Sequence, residues 1–273
     1  MLAKVPEITV YFWIAKVLTT AMGEALSDYL VFDINRYLAV VLGTLAFFAA
    51  LGLQLRQRRY VAWVYWLLVA MVAVFGTMVA DVVHIVLGVP YLLSTLAFAA
   101  LLAAVFLTWS RSEGTLSIHS IRTRRREWFY WATVLATFAL GTAAGDMSAR
   151  TLHLGYLASA LVYGALFLVP LLAGPALAWD EVFAFWFAYV LTRPLGASLA
   201  DWFDMPPSAG GLGVDRALVA GVLTILIAAV VAYLTLTRID VQREGGRVLG
   251  YGETGARAAG RGSGREAPRA TDP

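Results

Sequence analysis

Cysteine is absent from the 273 residues and histidine occurs three times. Disulfides, zinc–thiolate sites, iron–sulfur clusters and thiol catalysis are therefore excluded, and any metal chemistry has to use oxygen donors or a histidine. Charge is scarce too: Asp, Glu, Lys and Arg make up 14% of the chain against 60% hydrophobic residues, and mean hydropathy is +0.73. That balance excludes an ordinary soluble domain and points to a polytopic membrane protein. A net charge of +3 and a pI near 9.2 would suit a nucleic-acid partner, but the basic residues lie in short loops and a tail beside apolar runs. That is a topology pattern, and no nucleic-acid partner is expected.

What the chain has instead is a repeat. A Trp, a Gly ten residues later and an Asp five residues after that recur as Trp13, Gly23, Asp28; Trp66, Gly76, Asp81; Trp131, Gly141, Asp146; and Trp186, Gly196, Asp201. The residue before each Asp is small: Ser27, Ala80, Gly145 and Ala200. A bilayer span takes about 20 apolar residues, and eight segments qualify, at approximately 8–30, 35–54, 61–83, 90–109, 128–148, 154–173, 181–203 and 214–236. The skeleton falls on each odd span, so the expected fold is an all-α membrane protein of eight transmembrane helices built as four parallel helical-hairpin repeats. The repeats cover approximately 5–55, 60–110, 125–174 and 180–237 of a transmembrane domain over 1–237. Residues 238–273, rich in Gly, Ala and Arg, are expected to be a disordered cytoplasmic tail. Lys16, Glu24 and Asp28 interrupt the first apolar run, which argues for a retained span over a cleaved signal.

Sixteen Lys and Arg residues, from Lys4 through the loops after the even spans to the tail, fall on one side, with only Arg36, Arg150 and Arg216 opposite. By the positive-inside rule both termini are expected to be cytoplasmic. Because two spans separate successive copies, all four skeletons cross in the same direction. A fourfold ring and a pair of two-repeat halves both satisfy that expectation, and the oligomeric state is open.

Gly23, Gly76, Gly141 and Gly196, each with its small partner four residues on, are expected to be helix-packing positions. The Trp reads as an interfacial or packing anchor. The Asp is different, because an ionisable group inside a span costs several kcal/mol unless it meets a cavity or a partner. Steps of four back from each Asp stay close to one helix face. They read Lys16, Thr20, Glu24, Asp28; then Val69, Ala73, Thr77, Asp81; then Val134, Phe138, Thr142, Asp146; and Tyr189, Arg193, Ala197, Asp201. A single Asp could merely begin the following loop, but four equivalent ones, with Glu24, outnumber the two buried bases. The expected cation or metal ligands are Asp28, Glu24, Asp81, Asp146 and Asp201, with Thr20, Thr77, Thr142 and His84 behind them. Lys16 and Arg193 are the expected counter-charges or gating residues.

Oxygen-rich sites suit magnesium, calcium or manganese better than copper or zinc. The expected function is a transporter for a divalent cation of manganese or magnesium type. The alternative is a proton-coupled transporter or channel for small organic or monovalent cations. No cofactor is expected beyond the bound or transported ion, and no enzyme, since no Ser–His pattern or paired-metal His motif is present.

Two stretches, Val5-Pro6-Glu7-Ile8-Thr9-Val10-Tyr11-Phe12-Trp13 with Lys16 to Thr20, Gly23-Glu24 and Ser27-Asp28-Tyr29, and Thr192-Arg193-Pro194-Leu195-Gly196-Ala197-Ser198 with Ala200-Asp201, carry a resemblance. The chain resembles a bacterial family of uncharacterised multi-spanning "membrane-anchored proteins" over most of residues 5–236. The resemblance implies a bacterial inner-membrane location and supplies no activity or site.

Overall fold

The computed structural model describes residues 3–242, and their side chains except at 85 and 173–177. Those residues form eight α-helices and no strand: α1 Val10–Asp28, α2 Arg36–Arg56, α3 Ala62–Asp81, α4 Tyr91–Glu113, α5 Arg124–Asp146, α6 Tyr156–Leu177, α7 Glu181–Asp204 and α8 Arg216–Thr237. Side-chain caps set several starts. Thr9, Asn35, Thr123, Asp180 and Asp215 each accept a first-turn amide of α1, α2, α5, α7 and α8, satisfying donors the helix cannot. In the first three repeats the helix does not stop at its Asp but widens into a π-helical turn, at Tyr29–Asn35, Val82–Val86 and Met147–Thr151. In the fourth, α7 continues as α-helix to Asp204.

Five helical segments among the described residues are long and apolar enough to cross a membrane: Val10–Arg56, Ala62–His84, Tyr91–Glu113, Glu181–Asp204 and Arg216–Thr237. Tyr156–Leu172 is apolar but shorter. Helix α5 stands outside this set, because the threonines, glycines and aromatic residues it turns inward lower its hydropathy.

The odd helices carry the core. Each packs against two others, α1 on α3, α3 on α5, α5 on α7 and α7 back on α1, which closes a four-helix ring. The even helices lie outside it, each against the next odd helix: α2 on α3, α4 on α5, α6 on α7 and α8 on α1. Their outer faces are exposed and apolar, as at Leu42, Leu45, Leu96, Leu101, Leu161, Leu172, Leu218 and Ile225.

The skeleton glycines explain how the ring closes. A Cβ on Gly23 would run into Ala73, one on Gly76 into Phe138, one on Gly141 into Arg193 and one on Gly196 into Thr20. Each glycine thus receives, from the next repeat, the residue seven after that repeat's Trp, and the fourth receives it from the first. The packing role expected of these glycines takes the form of a cyclic interlock, which decides for a ring over two separate halves.

The helices of the ring run the same way. Lys4 donates its backbone N–H to Ile121 (3.2 Å), Tyr60 to Ala3 (2.9 Å) and Glu7 to Asp240 (2.8 Å), while the Trp186 indole donates to Leu116 (2.9 Å). These bonds gather the starts of α1, α3, α5 and α7 at one end. Residues 238–242, expected within a disordered tail, are docked here: Asp240 is buried and accepts from the Tyr60 hydroxyl. The rest of that expected tail lies outside the described residues. The repeat tryptophans are packing residues: Trp66, Trp131 and Trp186 are buried among Phe12, Tyr65, Tyr130 and Tyr189, with only Trp13 partly exposed.

Candidate functional site

The four stripes become layers of the ring. A step of four residues climbs about 6 Å along a helix, so equivalent positions stack as successive levels. Starting from the end where the helices begin, an aromatic level has Phe12, Tyr65 and Tyr130 buried, with the Tyr65 and Tyr130 hydroxyls bonded to each other. Above it lie Lys16, Val69, Val134 and Tyr189, then Thr20, Ala73, Phe138 and Arg193, then Glu24, Thr77, Thr142 and Ala197. All twelve of these side chains are buried. The last level is Asp28, Asp81, Asp146 and Asp201, where α3 leaves Asp81 half-buried and the others are buried.

The centre is held by Arg193, which is fully buried on α7. Its Nη2 donates to the Glu24 carboxylate on α1, to Thr77 Oγ1 on α3 and to Thr142 Oγ1 on α5 at 2.6 Å. Its Nη1 donates to the Thr20 carbonyl at 3.2 Å. Thr77 also donates to the same Glu24 oxygen at 3.0 Å. One guanidinium therefore ties all four ring helices together, using the fixed fork of donors that lysine lacks. It occupies the oxygens of Glu24, Thr77 and Thr142 that the sequence suggests as cation ligands. Thr20 offers its carbonyl to this network, while its hydroxyl is turned to the carbonyls of Val17 (2.7 Å) and Thr192 (3.0 Å).

Lys16 is placed differently. Its Nζ lies 4.1 Å from the centre of the Phe138 ring and 4.2 Å from that of Tyr189, and it has no hydrogen-bond partner among the described residues. The aromatic faces supply the only attraction of that kind it has within the ring. The two bases thus play unequal parts, Arg193 as a hub bonded through both terminal nitrogens, its Nε left without a partner among the described residues, and Lys16 as an isolated ammonium one level away.

Above the hub the carboxylates converge. Asp28, Asp201 and Asp204 can each bring one oxygen within 4.8 Å of the other two, and all three are buried. Asp204 stands one helical turn after Asp201, on the same face, and both its carboxylate oxygens are buried without a hydrogen-bond partner. Asp146 pairs with Arg150 at 3.1 Å, and Asp81 keeps Oδ2 buried and unpartnered. Such a group of oxygen donors with surplus negative charge suits a hard cation.

The structure therefore brings together Glu24, Thr77, Thr142, the Thr20 carbonyl and Arg193 across two adjacent levels, and Asp28, Asp201 and Asp204 above them. It leaves His84 apart: the ring nitrogens lie 3.3 Å from the Val89 carbonyl and 3.4 Å from Ser94 Oγ, and the ring packs on Tyr91. Asp204 escapes a reading based on repetition because the other three copies have no equivalent. The signal that points to it is local, a second Asp three residues after Asp201.

No curated protein and no solved structure matches the chain significantly. A family described as Repeat of Unknown Function matches at residues 11–60, 64–115, 129–174 and 184–240, one match for each hairpin of the ring. With four copies spanning well over half its length, the chain belongs to the Repeat of Unknown Function family (DUF347).

Proposed function

We propose that this protein is a membrane transporter that carries a divalent cation of manganese or magnesium type along the axis of the α1–α3–α5–α7 ring. All eight helices cross the bilayer in this reading, with both termini in the cytoplasm of a bacterial inner membrane, and the protein is not an enzyme. One observation carries it. Six carboxylates, Glu24, Asp28, Asp81, Asp146, Asp201 and Asp204, converge inside and above a closed ring that holds two bases, Lys16 and Arg193. Charges in a membrane interior are costly and are kept where they pair or face an ion path. Arg150 compensates Asp146 and Arg193 compensates Glu24, which leaves Asp28, Asp81, Asp201 and Asp204 without an ion pair among the described residues, and of these Asp28, Asp201 and Asp204 lie close enough together to serve as the landing site for a cation.

Arg193 then acts as a tethered counter-cation. A divalent ion that descends from the aspartates competes with the guanidinium for Glu24, Thr77 and Thr142, and the guanidinium returns when the ion leaves. The aromatic level below, sealed by the Tyr65–Tyr130 contact, has to open before release on the far side. Uptake of radioactive manganese into proteoliposomes tests the reading. Asp28→Asn, Asp201→Asn and Asp204→Asn are each expected to abolish uptake, and Arg193→Ala and Lys16→Ala to change its rate or its dependence on membrane potential. Undiminished uptake in all three Asp variants sinks the proposal, and unchanged transport in both base variants removes the exchange step.

A further inference from the structure

A cavity of about 770 Å³ lies between the turn Tyr29–Asn35, the start of α2 and the end of α3. Its volume falls within the usual range for an organic ligand, roughly 300–1,000 Å³. The lining is mostly apolar and includes Phe32, Tyr37, Val41 and Met78, and its one carboxylate is Asp81. Asp81 makes no ion pair among the described residues, and its Oδ2 is buried without a hydrogen-bond partner. The described residues thus give this carboxylate no direct ion pair. Phe32, Ile34, Tyr37, Val41 and Val86 around the cavity are half exposed or more, so the cavity opens through an apolar surface and not through a polar one. Arg36 also borders it, but its guanidinium is exposed and stacks on the Tyr37 ring at 5.7 Å.

We infer that this cavity binds an amphiphilic organic cation that enters sideways from the bilayer, with its positive charge on Asp81 and its apolar body against Phe32, Tyr37 and Val41. The chemistry follows from the lining. A small hydrated metal ion gains nothing from apolar walls, and a neutral apolar molecule leaves the carboxylate unanswered. An organic cation satisfies both, and the aromatic rings attract it by cation–π contact. The inference rests on the membrane-spanning part of the reading above and not on transport, so it can fail while metal transport stands, and stand while metal transport fails.

Binding of radiolabelled tetraphenylphosphonium to the full-length protein purified in detergent tests it. Wild type is expected to bind the probe saturably, and the neutral triphenylphosphine oxide is expected not to compete. Asp81→Asn should weaken binding about tenfold or more, roughly 1.4 kcal/mol or above, and Asp81→Glu should restore most of it. Val41→Trp, which narrows the cavity from its open side and leaves the charge, should also weaken binding, whereas Asp204→Asn should leave it unchanged while abolishing manganese uptake. Retention of thermal unfolding behaviour in Asp81→Asn separates loss of the site from loss of the fold. Equal binding by wild type and Asp81→Asn overturns the proposal. So does displacement of the probe by phosphatidylethanolamine at membrane-like mole fractions, which would assign the cavity to an aminophospholipid.

Discussion

The two ends of the ring bury charge in opposite ways. Where the helices begin, Lys4 meets Glu127 at 2.5 Å, Gln54 adds a bond to the same carboxylate at 3.3 Å, and Asp240 accepts from Tyr60. Where they end, Asp204 has two unpartnered oxygens, Asp81 has one, and Asp28 and Asp201 stand within reach of Asp204. A buried pair is self-contained, and removing one partner leaves a charge stranded. A buried group of like charges is not self-contained and holds together only because the surrounding ring enforces it. The difference separates charges that are paired within the fold from charges that the described residues leave unanswered.

Breaking the contrast at the paired end should give the largest effect on stability. Glu127→Ala strands Lys4 and is expected to cost about 3–5 kcal/mol, read as a lowered midpoint of thermal unfolding in detergent. The double variant Lys4→Met with Glu127→Leu should recover most of that loss, and failure to recover would mean that the pair does not act as a unit. The interlock between the ends comes next. Gly196→Ala drives a methyl into Thr20, and Gly76→Ala drives one into Phe138 (2.7 Å from the ideal Cβ position), so each should destabilise by about 1–3 kcal/mol. At the acidic end the sign reverses. Asp204→Asn removes an unpaired buried charge and should leave the unfolding midpoint unchanged or raise it, even though the transport proposal has it abolish manganese uptake; a clear loss of stability would make Asp204 a structural residue.

The smallest effect concerns pH at the paired end. Burial holds the Asp240 carboxyl above its usual range, a rise that the Tyr60 hydrogen bond partly opposes. A carboxyl whose pKa is higher in the folded protein than in the unfolded chain stabilises the fold fully below the unfolded value, and that contribution fades as pH rises through the folded one. The stability contributed by burying the neutral Asp240 carboxyl should therefore decline as pH climbs out of the acid range. Asp240→Asn should flatten that part of the stability–pH curve, and identical curves for the variant and wild type would show that Asp240 is not responsible.

Much of the site is legible as a period of four on each odd helix. That spacing puts Lys16, Thr20, Glu24 and Asp28 on one face whatever the neighbours are, because backbone geometry fixes it. It cannot say what faces that stripe. Arg193 reads from its own helix as a counter-charge to Asp201, eight residues away, yet its partners are Glu24, Thr77 and Thr142 on three other helices. His84, three residues after Asp81, reads as its neighbour on nearly the same face, but the π-helical turn after Asp81 changes the local winding, and the imidazole turns to Val89, Ser94 and Tyr91 instead. Asp204 needs the opposite habit of reading, attention to a place where the fourth copy departs from the other three.

By itself the sequence determined a membrane-type composition, a fourfold repeat and the order of levels along each helix. Composition, periodicity and rise per residue are all properties of the chain alone. Only the tertiary structure decided that the repeats close into a ring, since each skeleton glycine meets a residue on another helix. It also decided that Arg193 fills the centre and that Asp28, Asp201 and Asp204 meet, because long-range electrostatics depends on which helices stand side by side. The repeated Asp was visible from the start, and what it faces was not.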